Sequence, residues 1–318
     1  MKYRPLGNTG LLVSEIGFGA WGIGGAAGGH AAYGVTDDNE SINALQAALG
    51  AGVTLFDTSD LYGMGHSEEL IGRAFRGKRD LVVIATKGGM VNPAGDQNFS
   101  PEYLRSALER SLTRLGSDYV DLYQLHSPSL ELLEQDNGLL SFLETLVQEG
   151  KVRVVGISAR SPQEARKAVE CYGFRSVQVN LNLLDWRAID CGLLQRCQEL
   201  GAAVIARTPL CFGFLTGRYS ADDVNDPNDH RANWSRERLE QWMMAASLFG
   251  DAIRSGGEQT AGQKALRFCL SCDGVTSVIP GMLNPAQVAE NIQASHLGRL
   301  THQELTEVES IYRKNYCY

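Results

Sequence analysis

The stretch VDLYQLHSPSLELLEQDNGLLSFLETLVQEGKVRVVGIS, residues 120–158, sets two short apolar runs on either side of a segment with helical spacing. VDLYQLH (120–126) and VRVVGIS (152–158) are β-rich, and LLSFLETLVQEGK between them reads as a helix. Strands that are apolar on both faces, each followed by a helix, belong to a parallel sheet covered by helices. The same alternation runs outward in both directions. EIGFGAW (15–21), VTLFDTS (53–59), LVVIATK (81–87), SVQVNLN (176–182), AAVIART (202–208) and VTSVIPG (275–281) bring the strands to eight. Eight such units in 318 residues predict an α/β fold, a single (β/α)8 TIM barrel domain spanning 1–318.

The competing architecture is an open doubly wound sheet, which needs a glycine fingerprint in its first strand-to-helix turn. Gly22-Ile23-Gly24-Gly25 is glycine-rich, but it lies in a long loop with Gly28, Gly29 and His30 rather than opening a helix. Ser100-Pro101-Glu102 and Ser161-Pro162-Gln163 are helix starts with Ser at the N-cap and Pro behind it, Ser67 reads as an N-cap before Glu68 and Glu69, and Gly116 and Gly201 mark helix ends. LGNTGLLVSEIGFGAW predicts an N-terminal β-hairpin turning at Asn8-Thr9-Gly10 and plugging one barrel end. After strand 7 comes a long loop, about 210–235, with Asp222-Asp223, Asn225-Asp226-Pro227-Asn228-Asp229 and Trp234; a segment of that length is disordered or a functional lid. THQELTEVESIYRKNY predicts a helix across the barrel's outside, with Tyr316-Cys317-Tyr318 as a tail.

Composition narrows the function. With 29 Lys+Arg against 37 Asp+Glu the net charge is −8, and no long basic run is present to neutralise a nucleic-acid backbone. No stretch reaches the roughly 18 consecutive apolar residues of a membrane span, and the N-terminus lacks a signal-peptide core. A cytoplasmic protein is expected, its seven cysteines reduced and structural. Cys269 and Cys272 form a CxxC without a second pair, so no metal site is expected.

Asp57, Lys87 and His126 end the second, third and fourth strands, and Tyr62 follows Asp57 in the loop. A strand-end Asp or Lys by itself is an ordinary ion-pair partner. Four such residues on one rim are the way barrel enzymes assemble a site from distant chain positions. Asp60 and His66 read as a loop carboxylate or Asx-turn and a structural or pocket-rim histidine.

FDTSDLYGMGHSEELIG, VVIATKGG, DLYQLHSP, GKVRVVGIS, VQVNLNLLD, ARTPLCFGFLTGRY and SVIPGMLNPAQVAENI occur in the order and spacing of the aldo-keto reductases, which the chain resembles over essentially its whole length. The resemblance implies a nicotinamide-dependent enzyme that reduces an aldehyde, ketone or sugar carbonyl, or oxidises the alcohol. Asp57, Tyr62, Lys87 and His126 match its catalytic tetrad. Hydride arriving at a carbonyl leaves an alkoxide that needs a proton, and a free phenol titrates near ~10, so a neighbouring cation must ease the transfer. Tyr62 is then the donor, Lys87 the cation, Asp57 its ion-pair partner and His126 the ligand of the carbonyl oxygen.

The resemblance further implies cofactor contacts. Ser158 and Gln178 would hold the carboxamide, with Trp21 also among the cofactor contacts. Pro209, Leu210, Gly213, Leu215, Gly217 and Arg218 would fold over the pyrophosphate, and Ile279, Gly281, Leu283, Gln287, Glu290 and Asn291 would form the adenosine end. Two positions depart from the family pattern: Ala159 stands where many relatives have Asn, leaving Asn180 or Asn182 to compensate, and Leu283 stands where many have an Arg for the 2′-phosphate. NADP is expected, with NAD an open alternative. Trp21, Tyr33, Met64, Met90, Phe212, Phe214 and Trp234 are candidate pocket walls. Since some members of the superfamily are cofactor-binding channel subunits, a regulatory protein with little turnover is the other reading.

Overall fold

The computed structural model describes residues 1–25, 33–135, 138–220, 223 and 229–316. Gly28, Gly29, His30, Asp222, Asn225, Asp226, Pro227, Asn228, Cys317 and Tyr318, singled out above, lie outside the described residues. A hairpin of β1 (Tyr3–Pro5) and β2 (Leu12–Ser14) comes first. Eight parallel strands come after it: β3 (Phe18–Gly19), β4 (Leu55–Asp57), β5 (Val83–Gly88), β6 (Val120–His126), β7 (Val152–Ser158), β8 (Ser176–Asn180), β9 (Ala203–Arg207) and β10 (Val275–Val278). Each pairs with its predecessor in the chain, and the two ends of the series meet. Ile16 bridges Val278 and Gly19 bridges Gly281 in parallel, with Gly17 N–H donating to Val278 O at 2.8 Å and Gly19 N–H to Pro280 O at 2.9 Å. The sheet is therefore a closed barrel with helices outside it, as the alternation predicted.

The hairpin pairs Tyr3 with Ser14 and Pro5 with Leu12. It carries buried Leu6, Leu11 and Val13 into contact with Leu55, Val83, Leu122, Val154, Ala203 and Ile205, which face inward near the strand starts. This plug closes the N-terminal end, so the opposite end is the open one. Each leucine sequestered there contributes roughly 1.5–3 kcal/mol of transfer free energy.

Helix ends obey local chemistry. Ser100 Oγ accepts Tyr103 N–H, Ser161 makes a reciprocal capping box with Glu164, and Gly116 and Gly201 end their helices in left-handed conformation at φ 60° and 68°. Ser67 is not a cap. The helix His66–Ala74 begins two residues earlier than such a cap would place it, behind Gly65 at φ 99°, and Ser67 Oγ donates to Ala20 O, tying the helix to the loop after β3. β3 is also shorter than its apolar run suggests: toward β10 it makes only single bridges, at Ile16 and Gly19, instead of a ladder. A short helix, Leu130–Glu134, spans too few residues to show a period. The segment after β9 holds short 3-10 turns at Cys211–Thr216 and His230–Asn233 before the helix Arg236–Gly250. The helix His302–Asn315 lies outside the barrel, stacking Tyr312 on Trp186 at 4.8 Å.

Candidate active site

Alternation along each strand builds the site. Val83 and Ala85 face the barrel interior, so Lys87 does too; Leu55 leads to Asp57, Leu122 to Gln124 and His126, Val154 to Ser158, and Ala203 and Ile205 to Arg207. The inner stripe is apolar over the plug and turns polar at the C-terminal rim.

Lys87 and Asp57 are both buried, with the lysine Nζ donating to Asp57 Oδ1 at 2.6 Å and to Thr58 O at 2.7 Å. Its third contact is Tyr62 OH at 3.2 Å. Burial opposes the ammonium charge, but Asp57 and Tyr62 outweigh it and hold Lys87 above the ordinary lysine range. The other Asp57 oxygen accepts Gln178 Nε2–H at 2.7 Å and Gln124 Nε2–H at 3.0 Å. His126 stands edge-on to Tyr62 with ring centroids 6.1 Å apart. Burial, Lys87 and Arg207 together depress its pKa well below the usual value, so the imidazole is neutral. The four residues predicted to converge do converge.

Gln178, expected at a carboxamide, lines the cleft; its Nε2 donates to Asp57 and its Oε1 accepts Ser158 Oγ–H at 3.2 Å. Ser158 lies beneath Arg207, whose Nη1 donates to Ser158 Oγ at 2.7 Å, Nε to Asn180 Oδ1 at 2.8 Å and Nη2 to Ala159 O at 3.0 Å. Sequence reasoning missed Arg207, although a lone charge in register with the apolar inner stripe was the signal. Its burial among neutral oxygens depresses its pKa. Asn182 is taken up by a turn, donating to Thr208 O and accepting Leu184 N–H. Asp60 is a correction: it is half-buried, and Ser59 rather than Asp60 makes the turn, accepting Leu61 N–H at 3.2 Å. His66 is structural, on Asp38 at 2.8 Å.

A cleft of about 500 Å³ runs from Asp57 and Tyr62 past Gln178, Asn180 and Arg207 to Gln287 and Asn291. Trp21, Pro209, Leu210, Gly213, Arg218, Ile279, Gly281, Leu283 and Glu290 line it as expected. Leu215 does not, being fully buried, and Gly217 serves as a left-handed turn at φ 68°. Arg218 crosses to Glu290 at 2.6 Å. At the same end, Asn284 caps the helix Pro285–Leu297 by accepting Gln287 N–H, while Gln287 Oε1 accepts Leu283 N–H at 2.8 Å.

Trp21, Tyr33 and Phe212 form aromatic walls, and Trp21 lies 4.6 Å from the His230 ring across the mouth. Phe214 is buried behind them and Trp234 packs on Phe212 at 4.6 Å, so these two support the wall. Met64 is about half exposed, and Met90 Sδ is bonded by Gln97. Among the described residues every non-glycine with positive φ sits in a rim loop: Met64, Ser127, Thr208, Cys211 and Phe212. Strained backbone gathers where a site is held in shape against local preference.

The model of the Aldo/keto reductase family matches residues 15–313. The chain is 32% identical to an NADH-specific methylglyoxal reductase of Escherichia coli K12, covering 93% of this chain and 94% of that one. It is 33% identical to an aldo-keto reductase of Schizosaccharomyces pombe named for NADP(+), over 92% and 86%. Among solved structures, the glycerol dehydrogenase of Gluconobacter oxydans superposes with a TM-score of 0.83 at 28% identity, over 99% and 96%.

Proposed function

The chain belongs to the aldo/keto reductase family, a family of nicotinamide-dependent oxidoreductases, and from that premise we propose that it interconverts a small aldehyde, ketone or sugar carbonyl and its alcohol, with Tyr62 as proton donor. The observation that carries this reading is the buried Asp57–Lys87 pair with its cation 3.2 Å from the Tyr62 hydroxyl at the cleft floor.

The cleft's residues fit a dinucleotide. It has polar groups from Gln178, Asn180 and Arg207 and reaches the N-terminus of a 13-residue helix, suited to an anion. The cofactor supplies or takes up the hydride; the protein's part is to orient and to move the proton. Lys87 stays charged beside Tyr62 and favours the phenolate left when the proton passes to the developing alkoxide. Asp57 holds that ammonium, and Gln124 and Gln178 hold Asp57. His126, neutral, fixes the substrate oxygen by one hydrogen bond.

NADP was the expected cofactor, with NAD open. Leu283 offers no charge to a 2′-phosphate and Arg218 is engaged by Glu290, which supports a site that accepts NADPH and NADH with little discrimination. The two named relatives divide on the same choice. The test is absorbance loss from NADPH and NADH with a panel of aldehydes, ketones and sugars, run against Tyr62→Phe. Turnover in the wild type and its loss in the variant support the reading; no turnover with any substrate and either cofactor would end it.

A further inference from the structure

Among the described residues of the rim, Asp60 carries an acidic group that the proposed chemistry leaves unused. Ser59 Oγ lies 3.2 Å from Asp60 Oδ1, as donor, and 3.1 Å from His126 Nδ1, while accepting Leu61 N–H at 3.2 Å. A serine hydroxyl has one hydrogen and two lone pairs. Leu61 takes one lone pair, so the hydrogen and the remaining lone pair are shared between Asp60 and His126. If the hydroxyl donates to one of them, it must accept from the other.

His126 is neutral, so one ring nitrogen carries its proton and the other accepts. We propose that Asp60 is a positioning residue that, through Ser59, sets which nitrogen of His126 bears the proton, and hence whether His126 donates to a bound carbonyl oxygen or accepts from a bound alcohol. This rests on the reductase reading of the site.

With Asp60 protonated, its O–H donates to Ser59, Ser59 donates to Nδ1, and Nε2 carries the ring hydrogen. Deprotonation reverses the chain. The Asp60 proton moves to Ser59 Oγ, the serine's own proton moves to Nδ1, and the Nε2 proton is released to solvent. The system loses one proton, and His126 stays neutral with Nε2 as an acceptor. The donating form suits carbonyl reduction and the accepting form suits alcohol oxidation.

The surroundings place the change near neutrality. Burial, then the Glu68 charge on the adjoining helix, raises Asp60 to about 7, against the lowering effects of Ser59, Arg114 and Arg110. Tyr103 and Tyr123 also face it and stay neutral, and Asp60 N–H donates to Lys87 O on the neighbouring strand at 3.3 Å. Arg114 is itself held by Glu68 at 2.6 Å, which limits what it offers Asp60.

The test is ¹⁵N NMR of histidine-labelled protein without substrate, with the His126 signals assigned by their loss in His126→Gln. The tautomer should pass from Nε2–H to Nδ1–H as pH rises through about 7. Ser59→Ala and Asp60→Ala should each abolish that pH dependence. A wild-type tautomer unchanged across this range, an imidazolium forming in its place, or a switch that persists in Ser59→Ala overturns the proposal. None of these results bears on whether Tyr62 is the donor, which turnover by Tyr62→Phe decides separately.

Discussion

Replacing Asp57 by Asn keeps the shape and removes the charge, and the hydrogen bonds around the carboxylate set the cost. Asp57 accepts from Lys87 on one oxygen and from Gln124 and Gln178 on the other, so whichever way an asparagine turns, its NH₂ meets donors. Gln124 can flip at little cost because its Oε1 has no partner among the described residues, but Gln178 would forfeit its bond from Ser158. The larger loss is electrostatic: Lys87 is fully buried and would face only uncharged partners, the carbonyl of the introduced asparagine, Thr58 O and Tyr62. Stranding a buried charge costs about 3–5 kcal/mol. At roughly 1.5 °C per kcal/mol for a chain of 318 residues, the thermal midpoint should fall by about 4–8 °C. The pair raises the lysine's folded pKa, so its contribution is fully present below the unfolded lysine value and lost only as pH rises through the folded one; neutral pH reports it in full. The double variant Asp57→Asn with Lys87→Met, which leaves no buried ion at this pair, should recover part of the loss. Thermal unfolding of wild type, both single variants and the double variant at pH 7 settles it. An unchanged midpoint for Asp57→Asn, or a double variant costing the sum of the singles, would refute the reasoning.

At the adenosine end, Leu283→Arg should tighten NADPH by about tenfold, one step of ~1.4 kcal/mol, and leave NADH nearly unchanged; Glu290→Gln, by releasing Arg218, should shift preference the same way, both read as dissociation constants from fluorescence quenching. Glu304 accepts from Arg254 N–H, Ser255 N–H and Oγ–H, and Thr301 N–H, and although burial alone would raise its pKa these bonds bring it down to about 2. It should therefore contribute roughly 3 kcal/mol at neutral pH, lost as pH falls from about 4 toward 2, and Glu304→Gln should flatten that part of an acid-unfolding curve. Leu6→Ala, in the plug at the closed end, should cost about 2–5 kcal/mol in unfolding experiments while kcat/KM stays at the wild-type value.

The barrel was readable because its strands announce themselves. Val120–His126 and Val152–Ser158 match their apolar runs residue for residue, and proline behind serine marks two helix starts unambiguously. What escaped reading depends on contacts between distant segments. Phe18–Gly19 is short because the barrel closes there through single bridges, Ile16 to Val278 and Gly19 to Gly281, and nothing local says so. Ser67 has the chemistry of a cap, but Ala20, far away in sequence, takes its hydroxyl. The residues of the site could be placed on one rim from strand ends alone, whereas their partners could not. Gln178 turns inward to Asp57 because Arg207 occupies Ser158 and Asn180, and both facts stem from inward register across three neighbouring strands. Most of the positions expected at the cofactor line the cleft, since turns and glycines define its loops, whereas Leu215 is buried and Gly217 is a left-handed turn.

The central claim is that Tyr62 delivers the proton during hydride transfer. Pre-steady-state reduction by Tyr62→Phe, with cofactor carrying protium or deuterium at the transferred position, tests it directly. The predicted result is a transfer step slowed by about 10²–10⁴, an isotope effect showing that step to be rate-limiting, and a cofactor dissociation constant close to wild type. A transfer rate near that of the wild type, with the same isotope effect, would contradict it.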